Sequence, residues 1–164
     1  MSSSLTLHQV DTYNKPSVQS LQDVLANTYG LYLATHNYHW NVEGPHFYPL
    51  HLLFGTQYNE MFEAIDVIAE RVRALGAYAL PFEGKEILDI LQNTSNALNK
   101  ENCANDRAVR MVHNLIALGQ VLITTCQTAK KVAQEMKDDE TENLMVERIT
   151  AHQKMLWMLN AQVK

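Results

Sequence analysis

A chain of 164 residues is ample for one domain with a real core and too short for two comfortable ones. It is 46% hydrophobic with only six Gly and four Pro, which suits a helical globular protein and excludes disorder, and its net charge of −5 is the opposite of what a strongly nucleic-acid-binding domain carries. No apolar run approaches the roughly 20 residues of a membrane span, and the first residues have neither the basic start nor the apolar core of a signal peptide, so a cytoplasmic protein is expected.

Residues 1–15 are polar, without periodicity, and read as a flexible tail. Pro16 then fits the first turn of a helix. Positions 21, 25, 28, 32, 35 and 39 alternate steps of four and three, which predicts a helix over about 16–43 with His39 in phase with its inward face. Gly44-Pro45 breaks it. A second helix starts near Pro49 and runs to Gly76, a terminator, with its seam at 50, 54, 58, 61, 65, 68, 72 and 75. Asp66 and Glu70 are four apart, so both project from one side of this helix, beside the seam, where burying an unpaired carboxylate is costly.

A connection containing Pro81 leads to a two-turn helix over 85–92 and a polar linker, 93–102, rich in capping residues. The third long helix keeps strict rhythm from 108 to 133. Asp138 or Asp139 caps the fourth, whose apolar positions are 145, 149, 156 and 159. Four long amphipathic helices with short loops and one longer crossover predict an all-α four-helix bundle over 16–164. Cys103 and Cys126, if on one helix, are about 34 Å apart and cannot bond to each other; they read as ordinary thiols.

Four of the seven histidines, His36, His39, His46 and His51, lie just ahead of Asp66 and Glu70. Imidazole with carboxylate suits iron, zinc or manganese. The reversal at Gly44-Pro45 would bring His39 close to His51. Fifteen residues of helix, however, separate His51 from Asp66 by roughly 22 Å. If the two histidines and two acids form one site, a second copy must supply half of it. An antiparallel two-fold pairing would create two such sites.

Taken singly, each ligand candidate is better explained as solvated surface. His36, one turn before His39, is as well placed for packing as for supporting a ligand. His46 is expected exposed in the turn. Glu43 and His46 have the Glu-x-x-His spacing of di-iron bundle proteins, but Gly44-Pro45 interrupts the helix that would align them. No other such pair exists, which argues against a di-iron centre inside one subunit. His113 and His152 read as structural, and His152, in the apolar rhythm of the last helix, should find a partner for its polar atoms.

His39-Trp40-Asn41, a histidine twelve residues after the first, and Asp-x-x-x-Glu fifteen residues further on closely resemble the ferroxidase signature of the Dps mini-ferritins. The resemblance covers nearly everything after about residue 15. It implies a ferritin-like four-helix subunit with a short helix between the second and third long helices, assembled from two-fold dimers into a hollow homododecamer. Ferrous iron would bind at dimer interfaces through His39, His51, Asp66 and Glu70. It would be oxidised there, preferentially by hydrogen peroxide rather than dioxygen, and stored as ferric mineral, protecting the cell from oxidative stress. Trp40 would lie near the iron or fill the dimer interface, and the acidic cluster Asp138, Asp139, Glu140 and Glu142 would surround three-fold pores.

Two positions depart from the family pattern. Gly55 stands where most members carry Asp or Glu, so a weak second metal position is expected, completed by water or Glu63 and tightened by Gly55→Asp. The tail offers only Lys15 where family tails often carry several DNA-binding lysines, so DNA binding is expected to be weak or absent. The rival readings are a DNA-compacting nucleoid protein whose metal site is secondary, and a structural helical oligomer with a vestigial site. By resemblance the location is the bacterial cytoplasm or nucleoid.

Overall fold

The computed structural model describes residues 15–80, 85–99 and 103–164. Among these residues five helices follow in order: α1 Pro16–Asn41, α2 Phe47–Ala74, α3 Lys85–Asn99, α4 Ala104–Met136 and α5 Asp139–Asn160. Four are long and form the expected bundle, with the shorter α3 in the crossover. The expected tail lies outside the described residues except for Lys15, whose carbonyl accepts from the amides of Val18 and Gln19 at the start of α1.

The bundle core follows the seams read from sequence, joined on α1 by Leu31 and Tyr38 and on α4 by Met111, while Tyr32, Tyr58 and Ile65 of those seams are only half-buried. Val18, Leu21, Leu25, Leu31 and Tyr38 of α1 meet Leu50, Phe54, Met61, Ile68 and Val72 of α2, Met111, Leu115 and Leu122 of α4, and Met145 and Leu159 of α5. Thr28 and Thr35 are also buried in α1, because each hydroxyl donates back to the carbonyl four residues earlier. α1 packs on α2, α3 and α4, and α4 on α5, while α2 and α5 touch only lightly. That last gap is bridged by polar contacts, Gln57 Nε2 to the Met155 carbonyl at 3.3 Å and Arg148 to Glu60 at 2.5 Å.

The helix ends follow local chemistry. Gly76 has φ +90°, its amide bonds the Arg73 carbonyl and that of Ala77 bonds the Val72 carbonyl, a Schellman end that closes α2. α4 ends in the same pattern with Lys137 in the left-handed position at φ 56°. Asp138 then caps α5, its carboxylate accepting from the amide of Thr141 at 3.1 Å; of the two candidate caps, this is the one used.

Two expectations change. The short helix does not stop at 92 but runs to Asn99. Ile90, Thr94 and Leu98 continue a four-residue spacing onto the core, and the Thr94 hydroxyl is satisfied by the Ile90 carbonyl at 2.8 Å, so a polar residue is buried without breaking the helix. α4 is also long and apolar enough to cross a membrane by composition. Its Met111, Val112, Leu115, Leu122 and Cys126 pack into the bundle, while Val121 stays exposed.

Candidate metal centre

The sequence places His39 near the end of α1 and His51 in the first turns of α2, with Gly44 at φ +90° and Pro45 reversing the chain between them. The two helices come back antiparallel, and the imidazoles stack with centroids 3.7 Å apart and planes 22° apart. Each ring is held by the other residue's backbone. His39 Nδ1 lies 2.8 Å from the His51 carbonyl oxygen, and His51 Nδ1 lies 2.8 Å from the His39 carbonyl oxygen. A carbonyl only accepts, so both Nδ1 atoms carry the proton and donate, and both Nε2 lone pairs are left for a ligand. Metal-ligating histidines are commonly oriented in this way.

An aromatic group backs the pair. Tyr58 meets His39 edge-on at 5.1 Å and stacks on His36 at 4.2 Å; Trp40 lies 4.1 Å from the His36 ring. The Tyr32 hydroxyl is 3.4 Å from His36 Nδ1. Burial first, and then the neighbouring His39, hold His36 below the ordinary histidine value, so it is neutral at physiological pH. His36 is therefore a packed ring within this cluster. Tyr32 and Tyr58 were visible in the sequence as positions in the α1 and α2 seams, but nothing in their spacing marked them as neighbours of the histidines.

Asp66 and Glu70 are not brought to the histidines. They lie about two turns (Asp66) and one turn (Glu70) short of the far end of the same uninterrupted α2 and are exposed, so the expected burial of Asp66 does not occur within one chain. Among the described residues no three metal-ligating side chains converge. The same face of α2 exposes Leu52, Phe62 and Val67, and Trp40 is 64% exposed beside it.

The other candidates settle as follows. His46 precedes α2 and is exposed; Glu43 pairs with Arg107 of α4 at 2.9 Å, not with His46. His113 is exposed, not a core residue. His152 is 1% exposed, yet neither ring nitrogen has a hydrogen-bond partner, against expectation. Gly55 lies on α2 against His39: a Cβ added there would be 3.3 Å from Cε1 of that ring. Cys126 is buried, its thiol pushed up to about 12 by burial despite nearby Arg148, and Cys103 is exposed; both are free.

Comparison with known proteins agrees with the fold. A family model described as a ferritin-like domain matches residues 18–164. The DNA protection during starvation protein of Brevibacillus brevis is 34% identical over 152 residues, covering 90% of this chain and 97% of that protein. Dps from Thermosynechococcus elongatus superposes with a TM-score of 0.76 at 28% identity, over 94% of this chain and 95% of that one. Dps from Vibrio cholerae, described as a member of a broad superfamily of ferritin-like diiron-carboxylate proteins, gives 0.71 at 27% identity over 90% and 89%. With its helix order, its crossover helix and these relatives, the chain belongs to the Dps mini-ferritins of the ferritin-like family.

Proposed function

We propose that the protein is a ferroxidase and iron store that takes ferrous iron as substrate at sites shared between two subunits. One observation carries this reading: the His39–His51 pair is oriented and tautomerically fixed with both Nε2 atoms free, yet lacks carboxylates among the described residues of its own chain. Asp66 and Glu70 stand exposed on the same helix with apolar neighbours that a second copy would cover. An antiparallel pairing of α2 puts the acids of one chain opposite the histidines of the other, twice.

The donor set fits the chemistry. Carboxylate oxygens stabilise the ferric product, and imidazole keeps affinity for the ferrous substrate. Two ferrous ions each give one electron to hydrogen peroxide, which takes up two protons and leaves as water. Ferric product would be stored inside a dodecameric shell in the bacterial cytoplasm, removing iron and peroxide together and so protecting the cell.

The sharing of the site is tested by co-assembly. Subunits carrying His39→Ala and His51→Ala are mixed with subunits carrying Asp66→Ala and Glu70→Ala. Each homogeneous assembly should be inactive in ferrous oxidation, whereas mixed interfaces hold one intact and one doubly dead site, so activity should return. Continued inactivity despite verified mixing overturns the shared site.

A further inference from the structure

We propose that the cleft between α1 and α4 binds a primary ammonium group, of the kind a small polyamine carries. The cleft has a volume of about 340 Å³ and is lined by Ser20, Asp23 and Asn27 of α1 and by Thr124, Thr125 and Thr128 of α4, with Ala26 the one apolar residue among them. None of the candidate metal ligands lines it. Its chemistry is set by where the polar hydrogens go. A hydroxyl has one hydrogen to give and two lone pairs. Thr124 donates to the Gln120 carbonyl at 3.1 Å, Thr125 to that of Val121 at 3.0 Å and Thr128 to that of Thr124 at 3.1 Å. Ser20 donates to the Ser17 carbonyl at 3.1 Å, and Asn27 Nδ2 to the Asp23 carbonyl at 2.9 Å. A carboxylate only accepts, and helical amides are used in backbone bonds. These six side chains therefore offer a ligand almost nothing but lone pairs; the second amide hydrogen of Asn27 is the exception.

A surface of acceptors selects a ligand rich in donors. An anion would find one hydrogen here and would also face Asp23 and a chain of net charge −5. No Lys or Arg is among the lining residues to take up the lone pairs. A bare divalent ion fits poorly, because Asp23 is the only carboxylate in the lining and such ions draw several oxygens to within about 2.0–2.6 Å, far less space than this cleft has. A primary ammonium brings three hydrogens and a positive charge on a compact head, and its methylene chain can lie against Ala26 and the threonine methyls. An exposed ion pair with Asp23 alone contributes little. The hydroxyl and amide oxygens converging on the same head supply the rest, and they make the site prefer N–H donors over charge as such.

The test titrates the full chain, isotope-labelled at its Ala and Thr methyl groups, with putrescine at low salt, where the charge is least screened. The methyl signals of Ala26, Thr125 and Thr128 should shift saturably at millimolar putrescine. Tetramethylammonium, which has the charge but no N–H, should leave them in place at the same concentration. Thr125→Val combined with Thr128→Val keeps side-chain shape at two positions of α4 whose hydroxyls are exposed, so the thermal midpoint should hold while putrescine binds about tenfold more weakly. Asp23→Asn, on the other wall of the cleft, should weaken binding as well. Equal shifts with tetramethylammonium would reduce the cleft to a patch of negative charge and overturn the proposal. So would the absence of saturable shifts with putrescine, or parent-like affinity in either variant.

Discussion

His152 shows what close packing does to a titratable ring. It is 1% exposed, neither nitrogen is hydrogen-bonded, and its neighbour Arg148 has an unpartnered Nε. Burial, reinforced by the Arg148 charge, lowers its pKa to about 3. The unfolded chain takes up a proton at this residue near pH 6.5, while the folded chain does not until about pH 3. Folded-state stability is therefore intact above about pH 6.5 and falls by about 1.4 kcal/mol per pH unit below it, until the folded ring also titrates. We predict that the thermal midpoint drops between about pH 6.5 and 4, and that His152→Leu keeps the bundle and flattens that slope. An equally steep slope in the variant would show that another group is responsible.

At the scale of the element, Asp138 ties two helices together. Burial pushes its carboxyl up, but hydrogen bonds from the Thr141 hydroxyl and amide, and the Arg71 guanidinium, outweigh it and leave the pKa below the usual aspartate value. Arg71, from the last turn of α2, reaches Asp138 at 2.6 Å and the Thr141 hydroxyl at 2.9 Å. The same carboxylate thus caps α5 and anchors it to α2, at an end of a helix pair that otherwise touches little. Asp138→Ala should lose about 1–2 kcal/mol for the cap alone, and Asp138→Asn, which can still cap, should lose less. Urea unfolding at neutral pH checks the order; equal stability of all three proteins would contradict it. Its inward commitment leaves Asp139 and Glu140 as the exposed acids of that cluster, Glu140 at 3.9 Å from the Arg71 guanidinium, while Glu142 accepts from Gln134 at 2.7 Å.

For the whole molecule the balance of charge decides what the surface attracts. The chain carries −5, and residues 1–14 contain no Lys or Arg. That stretch offers no cations to release counterions from duplex DNA. We predict no submicromolar binding to duplex DNA at neutral pH and about 150 mM salt. A gel shift repeated at several salt concentrations measures this, and submicromolar binding there would favour the DNA-compacting reading instead. The name of the Brevibacillus relative speaks of DNA protection; removal of iron and peroxide would protect DNA without contact.

The sequence alone determined the four amphipathic helices, the antiparallel return of His39 toward His51, and the separation of both from Asp66 and Glu70. These are readable because periodicity and rise per residue belong to a single helix and need no knowledge of its neighbours. The choice of Asp138 over Asp139 as cap, the burial of Thr94 that prolongs α3, the isolation of His152, the reciprocal bonds of the histidine pair and the contact of Gly55 with His39 were decided by the tertiary structure. Each depends on which atoms face one another across packed helices. Residues 12 to 70 positions apart in sequence meet there, as His39 with His51 and Arg71 with Thr141 do, and their partners are set by packing geometry that no local pattern encodes.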